Sequence, residues 1–318
     1  MKESFESSGE LGKERRLLEF RASVDHRLMS ETVMEMANRY PSLGVTTLGQ
    51  SILGKSIPVL QIGQGRKRLI YIGAHHGMEW ITSAILLRFV NEYCELLKCG
   101  SVAEGVPVRV LDETRSICVI PMLNPDGVDY AIHGVEEDNP MYERVLSMNG
   151  GSKDFSHWQA NARGVDLNHN YNAGFSEYKS MEPDLGISCG APTRYSGECP
   201  ESEPETGYLC NYLRFQKEYQ LAMTFHTQGE EIYYTSGDKT APRSEVIGKY
   251  LAGLCEYRLA KPEGPAAYGG FTDWFIREFD RPSFTIECGK GKNPLPFSDF
   301  PMLYIRLRKL LFTAPMLI

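Results

Sequence analysis

Four ionisable residues stand at the ends of apolar segments from three distant parts of the chain. His76 and Glu79 follow the apolar run RLIYIG, His226 ends the run LAMTFH, and Glu287 lies near the end of PSFTIEC. Open α/β sheets bind their ligands outside the carboxyl ends of strands. If the three runs are strands of one sheet, the four side chains gather along one rim.

The chemistry available to these residues is that of a catalytic metal site. The spacing His76-x-x-Glu79 brings an imidazole and a carboxylate onto one ion where a strand gives way to a helix. A catalytic zinc commonly takes two histidines and one glutamate and keeps a fourth position for water. His226 supplies the third ligand, and Glu287 can take the proton from that water without binding the metal.

Each of these residues also has an ordinary structural explanation. The pattern HxxE occurs by chance, and His75 is an alternative to His76 as the histidine involved. His226 in an apolar strand is more often a hydrogen-bonded core histidine. Glu287 is harder to explain, because a carboxylate in an apolar strand is costly to bury without a partner. The conjunction of the residues, rather than one motif, indicates a functional site.

The segments around these residues alternate between strand-like and helix-like patterns. Ser30 to Pro41 predicts a helix with Ser30 as N-cap, and residues 45–63 predict a hairpin that turns near Gly54 and Lys55. Apolar strands and helices then alternate to the C-terminus, and NPDG reads as a turn. The alternation predicts a single α/β domain in three layers, with a mostly parallel sheet covered by helices on both faces.

The polar, charged start of the chain predicts a loosely ordered extension over residues 1–25, before one catalytic domain over residues 26–318. The same start lacks the apolar run of a secretory signal. The eight cysteines form no CxxC pair, which favours reduced thiols. These features predict a cytoplasmic protein.

The composition argues against several other classes of protein. Hydrophobic residues make up 42% of the 318 residues and charged residues 24%, as in an average globular domain. The formal net charge of −7 comes without a polybasic run, so no nucleic-acid partner is expected. No stretch approaches the ~20 apolar residues that span a bilayer, so no membrane span is expected.

Seven segments together resemble the zinc carboxypeptidases and occur in that family's order from about Ser30 to the C-terminus. They are GAHHGMEWITS, PMLNPDG, ARGVDLNHNY, ESEPET, MTFHTQ, GGFTDWF and SFTIECG. The resemblance implies a mixed, mostly parallel sheet of about eight strands between helices. It also implies one zinc ion held by His76, Glu79 and His226, with Glu287 as the general base.

Two arginines with which the family holds its substrate are replaced in this chain. Members that trim ordinary C-termini carry asparagine and arginine where Asn168 and His169 stand, so the carboxylate-binding arginine is missing. A second arginine, which polarises the scissile carbonyl, follows a tryptophan in the family, whereas Trp158 is followed by Gln159. Arg163 either takes over this catalytic role or pairs with a surface carboxylate.

Two further positions bear on substrate binding. The mobile tyrosine of the family aligns with Pro265, and the nearest tyrosine is Tyr268. Tyr268 is either a loop residue that folds over the substrate or an ordinary partly buried ring. Thr272 stands where the family sets its side-chain preference, and a threonine there favours neither a large aromatic group nor a simple cation.

The segments HTQGEEIYY, GVDLNHNY and residues 269–296 resemble the bacterial γ-D-glutamyl-diaminopimelate peptidases, which cut peptidoglycan stem peptides between D-glutamate and the diamino acid. The resemblance implies a zinc peptidase that acts on a small peptide or muropeptide. Glu230 and Glu231 either bind the distal ammonium of such a substrate or form a solvated turn. Three alternatives stay open: a conventional metallocarboxypeptidase, a zinc deacylase of small N-acyl amino acids, and a catalytically inactive muropeptide-binding module.

Overall fold

A computed structural model describes Leu18 and residues 20–318. The helices are α1 (His26–Arg39), α2 (Ile81–Lys98), α3 (Val108–Thr114), α4 (Pro125–His133), α5 (Tyr142–Met148), α6 (Phe175–Met181), α7 (Pro204–Gln216), α8 (Ser244–Cys255), α9 (Phe271–Phe279) and α10 (Phe300–Thr313). The strands are β1 (Gly44–Gln50), β2 (Ser56–Ile62), β3 (Lys67–Gly73), β4 (Val102–Ala103), β5 (Val106–Pro107), β6 (Arg115–Ile120), β7 (Tyr219–His226), β8 (Glu231–Tyr233), β9 (Arg258–Ala260) and β10 (Ser283–Glu287).

Eight of these strands form one sheet in the order β1-β2-β6-β3-β7-β10-β8-β9. The central strands β6, β3, β7 and β10 run parallel to one another. Antiparallel pairs join β1 to β2, β2 to β6 and β8 to β10. The predicted α/β fold with a mixed, mostly parallel sheet of about eight strands is therefore confirmed.

Each face of the sheet carries its own hydrophobic cluster, because successive side chains of a strand point to opposite faces. On β3, Leu69 and Tyr71 belong to one cluster, while Ile70 and Ile72 belong to the other. The first cluster includes residues of α1, α2, α3, α8 and α10, and the second includes residues of α7 and α9. Burial of each such side chain contributes roughly 1.5–3 kcal/mol, so the central strands that carry the candidate site are held firmly from both sides.

Two local predictions were wrong. Helix α1 begins at His26 rather than after Ser30, and its N-cap is Asp25, whose side chain accepts the N–H of the third residue along at 2.7 Å. Aspartate caps a helix as well as serine does. The NPDG segment begins a helix instead of forming a turn, because Asn124 caps α4 and Pro125 takes the first helical position, where its missing N–H costs nothing.

The predicted N-terminal extension is described only in part. Residues 1–17 and 19 lie outside the described residues. Leu18 and Val24 are buried in the first hydrophobic cluster, so this part of the chain packs on the domain, and the boundary at residue 26 stays a prediction. Within the described part of the chain, no helix is long and apolar enough to cross a membrane.

Candidate active site

The predicted chemical residues lie at one edge of the sheet, where three neighbouring parallel strands end. His226 is the last residue of β7 and Glu287 the last residue of β10, and the two are paired in register. Strand β3, on the other side of β7, ends at Gly73, three residues before His76. The strand order thus brings together segments that are far apart in the sequence.

A single 3₁₀ turn, Gly77–Glu79, connects the end of β3 to helix α2 and places His76 beside Glu79. Gly77 lies so close to the neighbouring backbone that a Cβ there would come within 2.2 Å of the carbonyl oxygen of Gly127. Only glycine fits this approach. The turn leaves Nδ1 of His76 2.9 Å from Oε1 of Glu79.

His76, Glu79 and His226 form a compact cluster of metal-ligand atoms. Nδ1 of His226 lies 3.3 Å from Nδ1 of His76 and 3.1 Å from Oε2 of Glu79, and the three ligand atoms all lie within 4.8 Å of one another. Two facing imidazole nitrogens can share only one hydrogen, whereas a cation accepts a lone pair from each of them and from the carboxylate. Two imidazoles and one carboxylate are the donor set of many catalytic zinc sites, so these residues fit a zinc ion.

Asp166 orients the first histidine of this cluster. Its Oδ1 accepts a hydrogen bond from Nε2 of His76 at 3.2 Å, and its Oδ2 accepts the backbone N–H of Arg194 at 3.0 Å. Because Asp166 holds a hydrogen on Nε2, Nδ1 is the nitrogen of His76 that gives up its proton and offers a lone pair when a cation binds. Sequence reasoning did not identify Asp166. Its position in the segment GVDLNHNY was the one available signal.

His75, the alternative to His76, points elsewhere. Its Nε2 lies 3.0 Å from the hydroxyl of Tyr171, and it is not a member of the ligand cluster. Burial, aided by the nearby histidines, lowers the pKa of His75 well below its ordinary value, so the ring is neutral. The geometry therefore favours His76 over His75 as a ligand.

Burial and charge act in opposite directions on the ionisation of the cluster. Burial favours the neutral form of Glu79, but the charges of His76 and His226 lower its pKa to about 2. Burial likewise opposes the charging of His76, yet Glu79 and Asp166 raise its pKa well above the ordinary value. The carboxylate of the cluster is therefore ionised at neutral pH and available to a cation.

The pKa of Glu287 is shifted in the opposite direction to that of Glu79. Burial, together with the negative charge of Glu79, raises the pKa of Glu287 to about 8. A carboxyl group with a pKa near the working pH suits proton transfer, because it can both accept and release a proton. Burial and neighbouring charges thus keep Glu79 ionised and leave Glu287 able to exchange a proton.

Glu287 and His76 line a shared cavity of about 150 Å³. Among the predicted substrate-binding residues, those on the same wall are Asn168, His169 and Thr272. The cavity is further lined by Tyr233, Thr235, Pro262, Ala266, Gly270, Asp273 and Thr285. Three of the four predicted substrate residues are therefore next to the candidate catalytic group.

His169 is held as a neutral ring by its neighbours. It stacks on Tyr178 with ring centroids 3.8 Å apart, and its Nδ1 donates to the carbonyl of Tyr268 at 2.9 Å. Burial lowers the pKa of His169, although Asp166 opposes the shift. The ring of Tyr268, the fourth predicted substrate residue, lies against Gly174 and does not line the cavity.

The wall around Thr272 is polar. The hydroxyl oxygens of Thr272 and Thr285 lie 2.9 Å apart, and Ser283 donates to Thr272 at 3.3 Å. Asp273 is also buried on this wall, and its Oδ1 has no hydrogen-bond partner among the described residues. Sequence reasoning did not single out Asp273.

Arg163 lies outside this cavity. Its side chain is 46% exposed, and its guanidinium is 3.7 Å from the carboxylate of Glu203. Both residues line a neighbouring cavity that does not include Glu287. Of the two alternatives for Arg163, the geometry favours pairing with a carboxylate.

Glu230 and Glu231 are also occupied by ion pairs. Glu230 pairs with Lys290 at 2.8 Å and contacts Arg306, and Glu231 contacts Arg258. Neither glutamate lines the cavity of Glu287. Their charges are therefore used within the protein rather than presented to a substrate in this cavity.

The fold and the ligand cluster together define a metallopeptidase. The family model described as zinc carboxypeptidase matches residues 29–304, and the chain belongs to this family. A relative, the γ-D-glutamyl-L-diamino acid endopeptidase 1 of Lysinibacillus sphaericus, is 32% identical over 289 residues, which cover 91% of this chain and 71% of the relative. The predicted family and the prediction of an enzyme are both confirmed.

Solved structures agree on the fold. Bovine thrombin-activatable fibrinolysis inhibitor, in complex with a tick carboxypeptidase inhibitor, matches with a TM-score of 0.70 at 20% identity, over 92% of this chain and 96% of that one. The murein-tripeptide amidase of Escherichia coli O157 matches with a TM-score of 0.52 at 22% identity, over 85% and 91% of the two chains. At these identities the likeness concerns the fold alone.

Proposed function

We propose that this metallopeptidase binds one zinc ion through His76, Glu79 and His226 and hydrolyses the γ-D-glutamyl–diamino acid bond of peptidoglycan stem peptides. The observation that carries the substrate assignment is the 32% identity, over 91% of this chain, to the γ-D-glutamyl-L-diamino acid endopeptidase of L. sphaericus. The partner is accordingly a small muropeptide.

The reaction gives different roles to two carboxyl groups: Glu79 binds the metal, and Glu287 transfers the proton. Bound zinc would polarise the scissile carbonyl and lower the pKa of water to about 7. Glu287, on the wall of the same cavity, takes the proton from the attacking water and delivers it to the leaving amine. Asp166 holds His76 in the orientation that the ligand cluster requires.

The recognition side of the cavity supports a substrate other than an ordinary C-terminus. His169 stands where conventional members have an arginine, and its ring is neutral and already bonded to the carbonyl of Tyr268. A neutral imidazole cannot replace the bidentate clamp that arginine offers to a carboxylate. The polar wall of Thr272 and Thr285 is also a poor match for a large apolar side chain.

Three other functions are less well supported. A conventional carboxypeptidase would share the ligand cluster and Glu287, and the absence of arginine at position 169 argues against it. A catalytically inactive muropeptide-binding module would have no need of Glu287, which is present beside an intact ligand cluster. A zinc deacylase has no support from the family match.

The test compares substrates on the purified enzyme, with metal content measured in the same preparation. L-Ala-γ-D-Glu-meso-diaminopimelate is offered alongside N-blocked dipeptides ending in Phe, Leu, Lys or Glu. Release of diaminopimelate with little cleavage of the dipeptides supports the proposal. Efficient removal of an ordinary C-terminal residue, with the muropeptide untouched, would favour the conventional carboxypeptidase.

The cytoplasmic location stays a prediction, which cell fractionation tests.

A further inference from the structure

The proposed substrate carries a carboxylate that neither the ligand cluster nor Glu287 can bind. When the γ-D-glutamyl bond is cut, the leaving diamino acid bears an α-carboxylate next to the scissile amide. His169 cannot clamp this group, because the ring is neutral and its Nδ1 is bonded to Tyr268. A carboxylate in a partly desolvated cavity needs a cationic or hydrogen-bonding partner, so another residue must provide it.

Arg194 is held beside Asp166 and Tyr178 by both of its backbone groups. Its N–H donates to Oδ2 of Asp166 at 3.0 Å, and its carbonyl accepts the hydroxyl of Tyr178 at 2.9 Å. Asp166 also holds His76, and Tyr178 stacks on His169. The backbone of Arg194 is therefore bonded to Asp166, which orients the candidate ligand His76, and to Tyr178, which stacks on His169.

The backbone conformation of Arg194 is unusual for a residue with a side chain. Its φ of +66° lies in the left-handed region, where non-glycine residues are uncommon. Asp166 reinforces the conformation by donating its own N–H to the carbonyl of Tyr195 at 2.7 Å. The loop of residues 182–203 is thus anchored on Asp166 at two successive residues.

The guanidinium of Arg194 is exposed, and the described residues give it no ion pair. Two other arginines are engaged within the protein, since Arg163 faces Glu203 and Arg277 of α9 donates to Ser236 at 2.7 Å. Burial chiefly lowers the pKa of His169, and the charge of Arg194 adds to this effect. Because Tyr178 bonds the carbonyl of Arg194 and stacks on His169, the side chain of Arg194 starts close to the position that lacks the family's arginine.

We propose that Arg194 binds the α-carboxylate of the diamino acid on the leaving side of the scissile bond. The assignment rests on the proposed function. A planar guanidinium pairs with a carboxylate through two parallel hydrogen bonds. The clamp would thus come from a loop anchored on Asp166 instead of from position 169.

The test uses L-Ala-γ-D-Glu-meso-diaminopimelate and an analogue amidated at the L-centre α-carboxylate of the diaminopimelate. Both peptides keep the glutamate carboxylate and the distal carboxylate, so they differ in one charge. A hydrogen bond to a charged group is worth about 1.5–3 kcal/mol, so the wild type should favour the acid by roughly 10- to 100-fold in kcat/KM. Arg194→Gln should lose this preference, mainly through a higher KM, and Arg194→Lys should keep part of it.

The amidated peptide serves as the internal control for folding and metal binding. Arg194→Gln keeps the backbone N–H that Asp166 accepts, so its rate on the amide should stay close to that of the wild type. The matched control is Arg144→Ala, which removes an exposed arginine of the neighbouring cavity and should leave the acid preference intact.

The outcomes separate the two proposals. A wild type that cleaves acid and amide equally, or an Arg194→Gln variant that slows both to the same extent, overturns the role of Arg194 while the proposed function stands. A wild type that cleaves neither peptide overturns the proposed function and the role of Arg194 with it.

Discussion

The metal end of the site (His76, Glu79, His226 and Glu287) and its recognition end (His169, Thr272 and, as proposed, Arg194) are built from different kinds of structure. His226 and Glu287 end adjacent parallel strands and are paired in register, and His76 follows the strand next to them. His169 and Arg194 instead lie between helices, and hydrogen bonds from neighbouring loops hold them. Strand ends give the chemical groups a fixed geometry, whereas loops change without disturbing the sheet. The positions of His226 and Glu287 are thus set by the sheet, whereas those of His169 and Arg194 are set by the connecting segments.

Loss of a metal ligand should have the largest effect. His226→Ala removes one of three ligand atoms, so we expect zinc affinity to fall by more than the roughly 10–100-fold that loss of an outer partner costs, and turnover to fall with it. Metal analysis after dialysis measures the loss. His133→Ala is the control, because His133 is an exposed histidine that pairs with Asp25 and is not a member of the ligand cluster. A folded His226→Ala protein that retained one zinc at wild-type affinity would remove His226 from the site.

Glu287→Gln should separate chemistry from metal binding. The amide has nearly the shape of the carboxylate but cannot take a proton, so kcat should fall by about 10²–10⁴-fold. Zinc content should stay at one equivalent, since Glu287 is not in the ligand cluster. Near-normal turnover, or loss of the metal, would move the general base elsewhere.

The pH dependence of kcat/KM should report the ionisation of Glu287. Glu287 acts as a base only when it is deprotonated, so kcat/KM should fall about tenfold per pH unit below its pKa. Burial and Glu79 raise this pKa to about 8, and a divalent cation bound to Glu79 opposes the second effect. We therefore expect an acidic limb below pH 8 that is absent in Glu287→Gln. An unchanged limb in that variant would assign it to another group.

The metal end could be predicted from the sequence because each of its residues follows a recognisable strand. Once RLIYIG, LAMTFH and PSFTIEC were recognised as strands, their order in an α/β sheet placed His76, His226 and Glu287 together. The resemblance assigned His76 rather than His75, and the turn at Gly77 gives the physical reason, since it places the ring of His76 beside Glu79.

The recognition end could not be predicted in the same way. Thr272 lies on the cavity as expected from the resemblance, but the ring of Tyr268 does not. Asp166 and Arg194 are 28 residues apart, a separation with no sequence period, and a hydrogen bond of 3.0 Å brings them together. Contacts between irregular segments of this kind depend on the whole packed structure, and no local sequence pattern predicts them.

Asp166→Asn should have an intermediate effect and shows how far the metal end depends on its support. The asparagine lacks the charge that fixes Nε2 of His76 as a donor, so zinc affinity should fall by about 10–100-fold. Competition with a chelator measures the affinity, and excess zinc should restore most of kcat. Asp154→Asn is the control, because Asp154 is exposed and caps only the local N–H of Ser156. Unchanged zinc affinity would show that Asp166 supports only the loop of Arg194.

Arg163→Ala should have the smallest effect, and it tests whether a residue outside the cavity of Glu287 takes part in the reaction. The guanidinium is 46% exposed and 3.7 Å from the buried carboxylate of Glu203, and so long a contact from a solvent-exposed guanidinium contributes about 0–1 kcal/mol. Glu203 stays satisfied without it, since Asn161 donates to its carboxylate at 2.7 Å and Ser202 at 2.9 Å. Stability should therefore change by at most about 1 kcal/mol.

Turnover by Arg163→Ala should likewise stay within about 3-fold of the wild type, because the residue does not line the cavity of Glu287. Steady-state kinetics measure this, with Arg27→Ala, which removes an exposed arginine paired with Glu31, as the control. A loss of roughly 10²–10³-fold in kcat is the scale for a missing oxyanion contact. Such a loss would mean that the loop bearing Arg163 moves onto the substrate during the reaction. The recognition end would then contribute to the chemistry as well, and the division between a catalytic sheet and a selective set of loops would fail at this residue.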